Sequence, residues 1–244
     1  MAGELIYGRQ PVSEALRAGR RTFKRLLLAN NCQDAEVIRT IRESAQRMAA
    51  RVELVDLPTL DTLTQRGNHQ GVAVEAGPYP YCEFEECLTE AGTPPLFLLL
   101  DHIQDPQNLG ALLRVADAAG VDAVFLPKDR AVEVTPAAVR ASAGAAEHLR
   151  ICRVVNLHQT MGKLKQAGIW LAGLDQTATS TRYTATDLKG PLGLVVGSEG
   201  EGLGRLVRET CDYVINLPMR GRVGSLNASV AGAVALYEIL RQRG

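Results

Sequence analysis

No apolar run in this 244-residue chain approaches the roughly 20 residues needed to cross a bilayer. Runs such as Leu96–Leu100 and Leu192–Val196 stop at five. The opening residues, MAGELIYGRQ, reach an acidic side chain at once and hold no stretch that could serve as a signal peptide. A protein that neither spans nor binds a membrane is expected, working in the cytoplasm. Metal-site spacing is also missing. The five cysteines, at 32, 82, 87, 152 and 211, form no C-x-x-C pair, so reduced thiols are expected and no metal. Net charge is zero, with 27 basic against 27 acidic residues, and 46% hydrophobic with 22% charged residues is an ordinary globular composition. At about 150 residues per domain, the length implies one large domain or two modest ones.

The charge that cancels overall is unevenly spread. Residues 77–95, GPYPYCEFEECLTEAGTPP, carry four glutamates, no basic residue and four of the 11 prolines. That composition reads as a linker between a domain at 1–76 and a second at 96–244. In the first, 11–18 and 34–49 read as helices and 25–29 and 51–57 as strands, a short βαβ-type module. It has no nucleophile-and-base pair, and His69 follows a Gly-Asn turn, so it reads as a binding module. Arg9, Arg17, Arg20, Arg21, Lys24 and Arg25 are opposed in their span only by Glu14. They could follow a phosphate backbone or form a solvated face and a basic turn.

After residue 95 the rhythm is a regular alternation. Strand-like runs at 96–101, 121–127, 149–154, 169–175, 192–197 and 213–218 are separated by helix-like stretches at 109–119, 136–146, 157–167 and 203–210, and a last helix spans 227–241. Continuous apolar strands between amphipathic helices predict an α/β fold with a parallel sheet covered on both faces. Ligands then bind beyond the carboxyl ends of the strands. Three loops there carry unusual residues. The first runs from Asp105 through Asn108 to Arg114; Asp105 or Asn108 can cap the helix, and an Arg beside a helix N-terminus makes a phosphate clamp. The second holds Gly197, Gly200, Gly202 and Gly204, with Glu199 and Glu201 between them. Its spacing is not G-x-G-x-x-G and it lacks the P-loop lysine, so a diphosphate is disfavoured and a cationic cofactor fits better. The third carries Arg220 and Arg222 in a glycine-rich turn, then Ser225 and Asn227, one of which can cap the helix of small residues that follows. No G-x-S-x-G elbow accompanies Ser225, which argues against a serine hydrolase.

Asp105-Pro-x-Asn-x-Gly-(x)₃-Arg114, Gly197-x-Glu-Gly-x-Gly and Leu217-Pro-Met-x-Gly-(x)₃-Ser225-Leu-Asn-x-Ser-x-Ala resemble the three signature motifs of the SpoU/TrmH (SPOUT) RNA ribose 2′-O-methyltransferases. The segments IYGRQPVSEAL and HQGVAV resemble the ribosomal-protein-like RNA-binding domain of the bacterial 23S rRNA guanosine 2′-O-methyltransferase branch. The resemblance implies a deep trefoil knot near the C-terminus, a known exception to the rule against knotted chains. It implies S-adenosyl-L-methionine as cofactor, lined by Gly197, Leu217, Met219 and Leu226. It also implies a homodimer whose sites draw on both subunits, with Asn108, Arg114, Glu199, Ser225 and Asn227 as reaction-site residues. RNA, most of all 23S rRNA, is the implied partner.

Transfer of a methyl from a sulfonium to a ribose hydroxyl is an in-line displacement that demands positioning and loss of a proton. A guanidinium stays protonated, so Arg114 is expected to hold the substrate phosphate and stabilise the developing alkoxide rather than act as base unaided. Three rival readings remain open. The acceptor could be tRNA; the chain could be a non-catalytic RNA-binding factor of ribosome assembly; or it could be a dinucleotide-dependent oxidoreductase, against which the glycine spacing weighs.

Overall fold

The computed structural model describes all residues except 1, 2, 31, 33–35, 178, 199, 201 and 223. The chain forms two compact units, Met1–Pro80 with Val134–His148, and Tyr81–Glu133 with Leu149–Gly244.

The first unit opens with β1 (Glu4–Tyr7), α1 (Arg9–Ala18), β2 (Phe23–Ala29), α2 (Glu36–Arg47), β3 (Arg51–Val55), α3 (Leu57–Leu63) and β4 (Val72–Ala76). Its sheet has the order β1-β4-β2-β3, with β2 and β3 parallel and β4 antiparallel to both its neighbours. α2 buries Ile38, Ile41 and Ala45, a helical spacing that presents one face to the core. Asp56 caps α3 by accepting from the Thr59 N–H at 2.9 Å.

The basic cluster of this unit is not a free cationic track. The Arg21 side chain is fully buried and doubly bonded to Glu147, through Nε at 2.9 Å and Nη2 at 2.8 Å. Arg25 is held between Glu53 at 3.1 Å and Glu75 at 2.6 Å. Arg20 donates to the Glu147 and Pro80 carbonyls, and Arg9 to the Gln70 carbonyl. Only Arg17 and Lys24 of the six keep their side chains more than two-thirds exposed. Glu147, Glu53 and Glu75, the partners of Arg21 and Arg25, lie far away in sequence, so the local excess of cations overstated the surface charge.

The second unit begins with α4 (Phe84–Thr89), β5 (Leu96–Leu100), α5 (Pro106–Ala118) and β6 (Ala123–Pro127). The chain then supplies α6 (Pro136–Ala141) and a 3-10 turn at Ala145–Glu147 to the first unit. It resumes the second with β7 (Arg150–Val154), α7 (Leu157–Gln166), β8 (Trp170–Leu174), β9 (Thr181–Arg182), β10 (Leu192–Val196), α8 (Arg205–Thr210), β11 (Tyr213–Asn216) and α9 (Ala228–Arg243). Seven strands pair in the order β7-β6-β5-β10-β8-β11-β9, every pair parallel.

Both faces of this sheet are covered, as the apolar strands predict. Phe97, Leu99, Phe125 and Val195 pack on one face with Cys87 of α4, Met161 and Leu164 of α7, and Val207 of α8. α9 packs on β10 and α5; a Cβ on Gly232 would lie 2.5 Å from Leu112, so this helix approaches more closely than a larger residue permits. Each fully buried Leu or Phe removed from water in this way contributes about 1.5–3 kcal/mol.

The expected partition differs from these units in two respects. The acidic stretch 77–95 is not a bare linker. The backbone at Cys82 pairs in a single parallel β-bridge with that of Cys152, at the β7 edge of the sheet, and α4 buries Cys87 in the core; both Cys82 and Cys152 are free thiols. An edge strand gains cover from such a segment. Residues 134–148, expected in the second domain, are built into the first unit instead. The cysteines are packing residues. Burial pushes the Cys211 thiol up to about 12, and the neighbouring Cys152 together with burial pushes Cys87 up as well.

Candidate active site

The carboxyl ends of β10, β8 and β11 surround a cavity of about 210 Å³. Its apolar wall includes Leu174, Val196, Leu217, Leu226 and Ala231, and its polar lining Asp175, Ser198, Asn216 and Ser225. All four residues expected to hold a cofactor, Gly197, Leu217, Met219 and Leu226, line this one cavity, and Ser225 joins them.

The loop after β10 owes its path to its glycines. A Cβ on Gly197 would lie 2.2 Å from the Gly202 carbonyl oxygen, where the strand exit passes under the returning loop. Gly202 has φ 66°, and its N–H donates to the Ser198 carbonyl at 3.1 Å, closing an antiparallel bridge between these residues. Gly204 donates to Asp101 Oδ2 at 2.8 Å, tying the loop to the end of β5. Glu199, expected at the reaction site, lies outside the described residues. Asp175 carries the one carboxylate among the described residues of this cavity, and Arg208 donates to it at 3.2 Å. Spacing did not single out Asp175; its position at the carboxyl end of β8 was the available signal.

The two capping alternatives resolve in favour of Asp105 and Asn227. Asp105 accepts from the Gln107 and Asn108 N–H groups, and Asn227 Oδ1 accepts from the Ser229 and Val230 N–H groups. That leaves Asn108 and Ser225 free of capping duty. The Asn227 amide also donates to Asn108 Oδ1 at 2.8 Å, which joins the starts of α5 and α9. A second cleft, of about 780 Å³, lies beside the first cavity and has Asn108, Ser198 and Gly202 in its lining.

Arg114 is not gathered in with these residues. It is exposed on α5 and lines neither the cavity nor the cleft. At 100° per residue, positions 108 and 114 lie about 120° apart around the helix axis. The six-residue spacing therefore separates their side chains, where three or four would have paired them. Arg220 and Arg222 are exposed on the loop before Ser225.

Known proteins agree with this geometry. The model described as the SpoU rRNA Methylase family matches residues 95–237, and the one described as RNA 2′-O ribose methyltransferase substrate binding matches residues 5–82. A Bacillus subtilis protein named for the TrmH family of tRNA/rRNA methyltransferases is 40% identical over 243 residues, covering 98% of this chain and 96% of its own. The crystal structure of an AdoMet-bound rRNA methyltransferase from Sinorhizobium meliloti superposes with a TM-score of 0.83 at 25% identity, covering 98% of this chain and 87% of that one. The SpoU methyltransferase AviRb from Streptomyces viridochromogenes, in complex with the cofactor AdoMet, gives 0.81 at 27% identity, covering 98% and 90%.

Proposed function

The chain belongs to the SpoU rRNA methylase family, and from that premise we propose that it transfers a methyl group from S-adenosylmethionine to a ribose 2′-hydroxyl of RNA, with a guanosine of 23S rRNA as acceptor. The observation that carries this reading is the cavity at the carboxyl ends of β8, β10 and β11, where every residue expected to hold the cofactor converges. The lining suits the group. Leu174, Val196, Leu217 and Leu226 offer apolar surface for an adenosine, and the Asp175 carboxylate suits a cationic ligand. Bound there, S-adenosylmethionine supplies an electrophilic methyl on a sulfonium, chemistry that needs no metal.

The remaining tasks fall to the chain's own side chains. Asn108 commits its amide oxygen to Asn227, which leaves its NH₂ as a donor towards an acceptor ribose in the adjoining cleft. Ser225 offers a hydroxyl between cavity and solvent. Arg114, outside the lining of its own cavity, completes the site of a second copy. The support for that homodimer is an unpartnered apolar stripe on α9, the helix packed on α5: Val230, Val234 and Tyr237 are all exposed, Tyr237 by 53%. The trefoil knot belongs to the same reading; its support is family membership and a strand order in which β10 lies between β5 and β8 while β11 lies beyond β8. The match of residues 5–82 to an RNA 2′-O ribose methyltransferase substrate-binding model supports an RNA acceptor, and ribosomal RNA met by a cytoplasmic enzyme completes the proposal.

Gly197→Ala tests the cofactor site. The added methyl meets backbone rather than a movable side chain, so the loop must shift. Calorimetry is expected to show S-adenosylmethionine affinity lowered at least about tenfold, since a displacement of one ångström already degrades such a site. The acceptor is tested by offering labelled S-adenosylmethionine with unmodified 23S rRNA and, in parallel, with bulk tRNA. Label at a single guanosine of the rRNA is expected. Label confined to tRNA would overturn the acceptor, and no label in either would favour a non-catalytic assembly factor.

A further inference from the structure

We infer that the 780 Å³ cleft beside the cofactor cavity binds RNA backbone phosphates flanking the target ribose, with Arg130 as its principal anion-holding side chain. The inference rests on the reading of the chain as an RNA ribose methyltransferase.

Ser198 and Gly202, joined by their backbone bridge, line both the cavity and the cleft and so form their shared wall. A ribose presenting its 2′-hydroxyl across that wall carries a phosphate on either side, and these must lie along the cleft. Its side chains suit them. Arg130, Arg205 and Arg208 line the cleft, and the one carboxylate among its described lining residues, Asp105, is engaged in capping α5. Glu209 shares the charge of Arg205, and Asp175 that of Arg208. Arg130 is exposed and has no acidic partner among the described residues. A guanidinium left free for bidentate contact at a concave surface is the donor best matched to a phosphate.

The backbone points the same way. His102 (φ 58°) and Arg130 (φ 55°) both sit in the left-handed region, which residues bearing a Cβ seldom occupy, and both line this cleft. Strain of that kind persists where the surroundings over-determine it, and it clusters at functional sites. Here Val132 N–H donates to the Ile103 carbonyl at 2.9 Å, locking the loop after β6 to the loop after β5. Buried Asp101 holds His102 Nδ1 at 2.6 Å and the Gly204 N–H at 2.8 Å. The scaffold is rigid while the Arg130 head group is free. Arg130 is thus a positioning residue for the acceptor strand.

The test compares Arg130→Ala, Arg130→Gly and Arg130→Lys in the full chain. Filter binding of an unmodified 23S rRNA transcript is measured over a range of salt, alongside calorimetry with S-adenosylmethionine. Arg130→Ala and Arg130→Gly are expected to weaken RNA binding about tenfold at low salt and to reduce the salt slope by about one phosphate contact. Cofactor affinity should stay within about twofold, and KM for RNA should rise more than kcat falls. Arg130→Lys should recover part of the affinity. Arg130→Gly relieves the left-handed strain, so its melting temperature should not fall, which separates lost binding from lost folding. Unchanged RNA affinity and salt slope in both Arg130→Ala and Arg130→Gly would overturn the assignment, whether or not the wild type methylates. A wild type that binds the transcript and loses affinity in these variants, yet transfers no methyl, would leave the cleft standing and sink the methyltransferase reading instead.

Discussion

Arg114→Ala is expected to bind S-adenosylmethionine as the wild type does and to turn over about 10²–10³-fold more slowly, the usual loss when one donor to a developing oxyanion is removed. The side chain touches neither the cavity nor the cleft of its own chain, so its removal leaves the cofactor lining intact. Arg114→Lys keeps the charge but not the two-pronged geometry, and should recover only a minor part of the rate; full turnover in this variant would end the bidentate-clamp account. Because the guanidinium is assigned to the partner's site, two inactive proteins should complement each other. In a mixed dimer of Arg114→Ala and Ser225→Ala, one site combines an intact cavity with an intact arginine and the other has neither. Equal mixing then restores about a quarter of wild-type turnover, half the dimers being mixed and half of their sites complete. No recovery on mixing, after exchange of subunits has been verified, would place Arg114 within its own chain's site.

Arg21→Met should cost the first unit about 3–5 kcal/mol, the range for leaving a buried charge without its partner. Glu147 is 1% exposed, and burial already pushes its carboxyl above the usual range although the Arg21 guanidinium pulls it down. Without Arg21 the burial effect is opposed only by the weaker pull of Arg20. The folded state then binds a proton that the unfolded chain has released, so stability falls as pH rises above about 4.3, the ordinary glutamate value. Urea unfolding should therefore show a larger deficit against wild type at pH 8 than at pH 5. Glu147→Gln is the counterpart. It leaves the Arg21 guanidinium with Glu4 as its acidic partner, and a guanidinium cannot shed its proton in this range, so its deficit should be the same at both pH values. Equal deficits for Arg21→Met at the two pH values would show that Glu147 is solvated once its partner is gone. The pair spans 126 residues and fastens Val134–His148 into the first unit, which gives it leverage beyond its local contacts.

Much of the second unit was legible because its strands declare themselves. Leu96–Leu100 is buried at every position, and a run without alternation means cover on both faces. The order of the strands was not legible. It depends on β10 entering between β5 and β8, a pairing decided by tertiary packing rather than by any local pattern. β9, only Thr181–Arg182 and exposed, is too short to carry a periodic signal. Long-range ion pairs account for the other departures. Glu53, Glu75 and Glu147 neutralise cations that look unopposed within their own segment, and Cys87 is buried from within a stretch whose composition is that of a linker.

At the candidate site the motif residues Gly197, Leu217, Met219 and Leu226 fall together on one cavity, because its lining comes from loops whose glycines are required by backbone crowding, as Gly197 is. Motif spacing could not say which residue of each candidate pair caps its helix. That Arg114 turns away from Asn108 does follow from their six-residue spacing once both are placed on one helix. Asp175 and Arg130 escaped notice because each stands singly in the loop after a strand, outside any repeating pattern, and acquires meaning only from the cavity or cleft it lines.

The central claim is that a methyl group passes from a cofactor held behind β10 to a ribose oxygen of RNA. Its most direct test is digestion of the labelled rRNA product with alkali, which cleaves every linkage next to a free 2′-hydroxyl. The account predicts label recovered in an alkali-resistant dinucleotide, and label released as a modified base within an ordinary mononucleotide would contradict it.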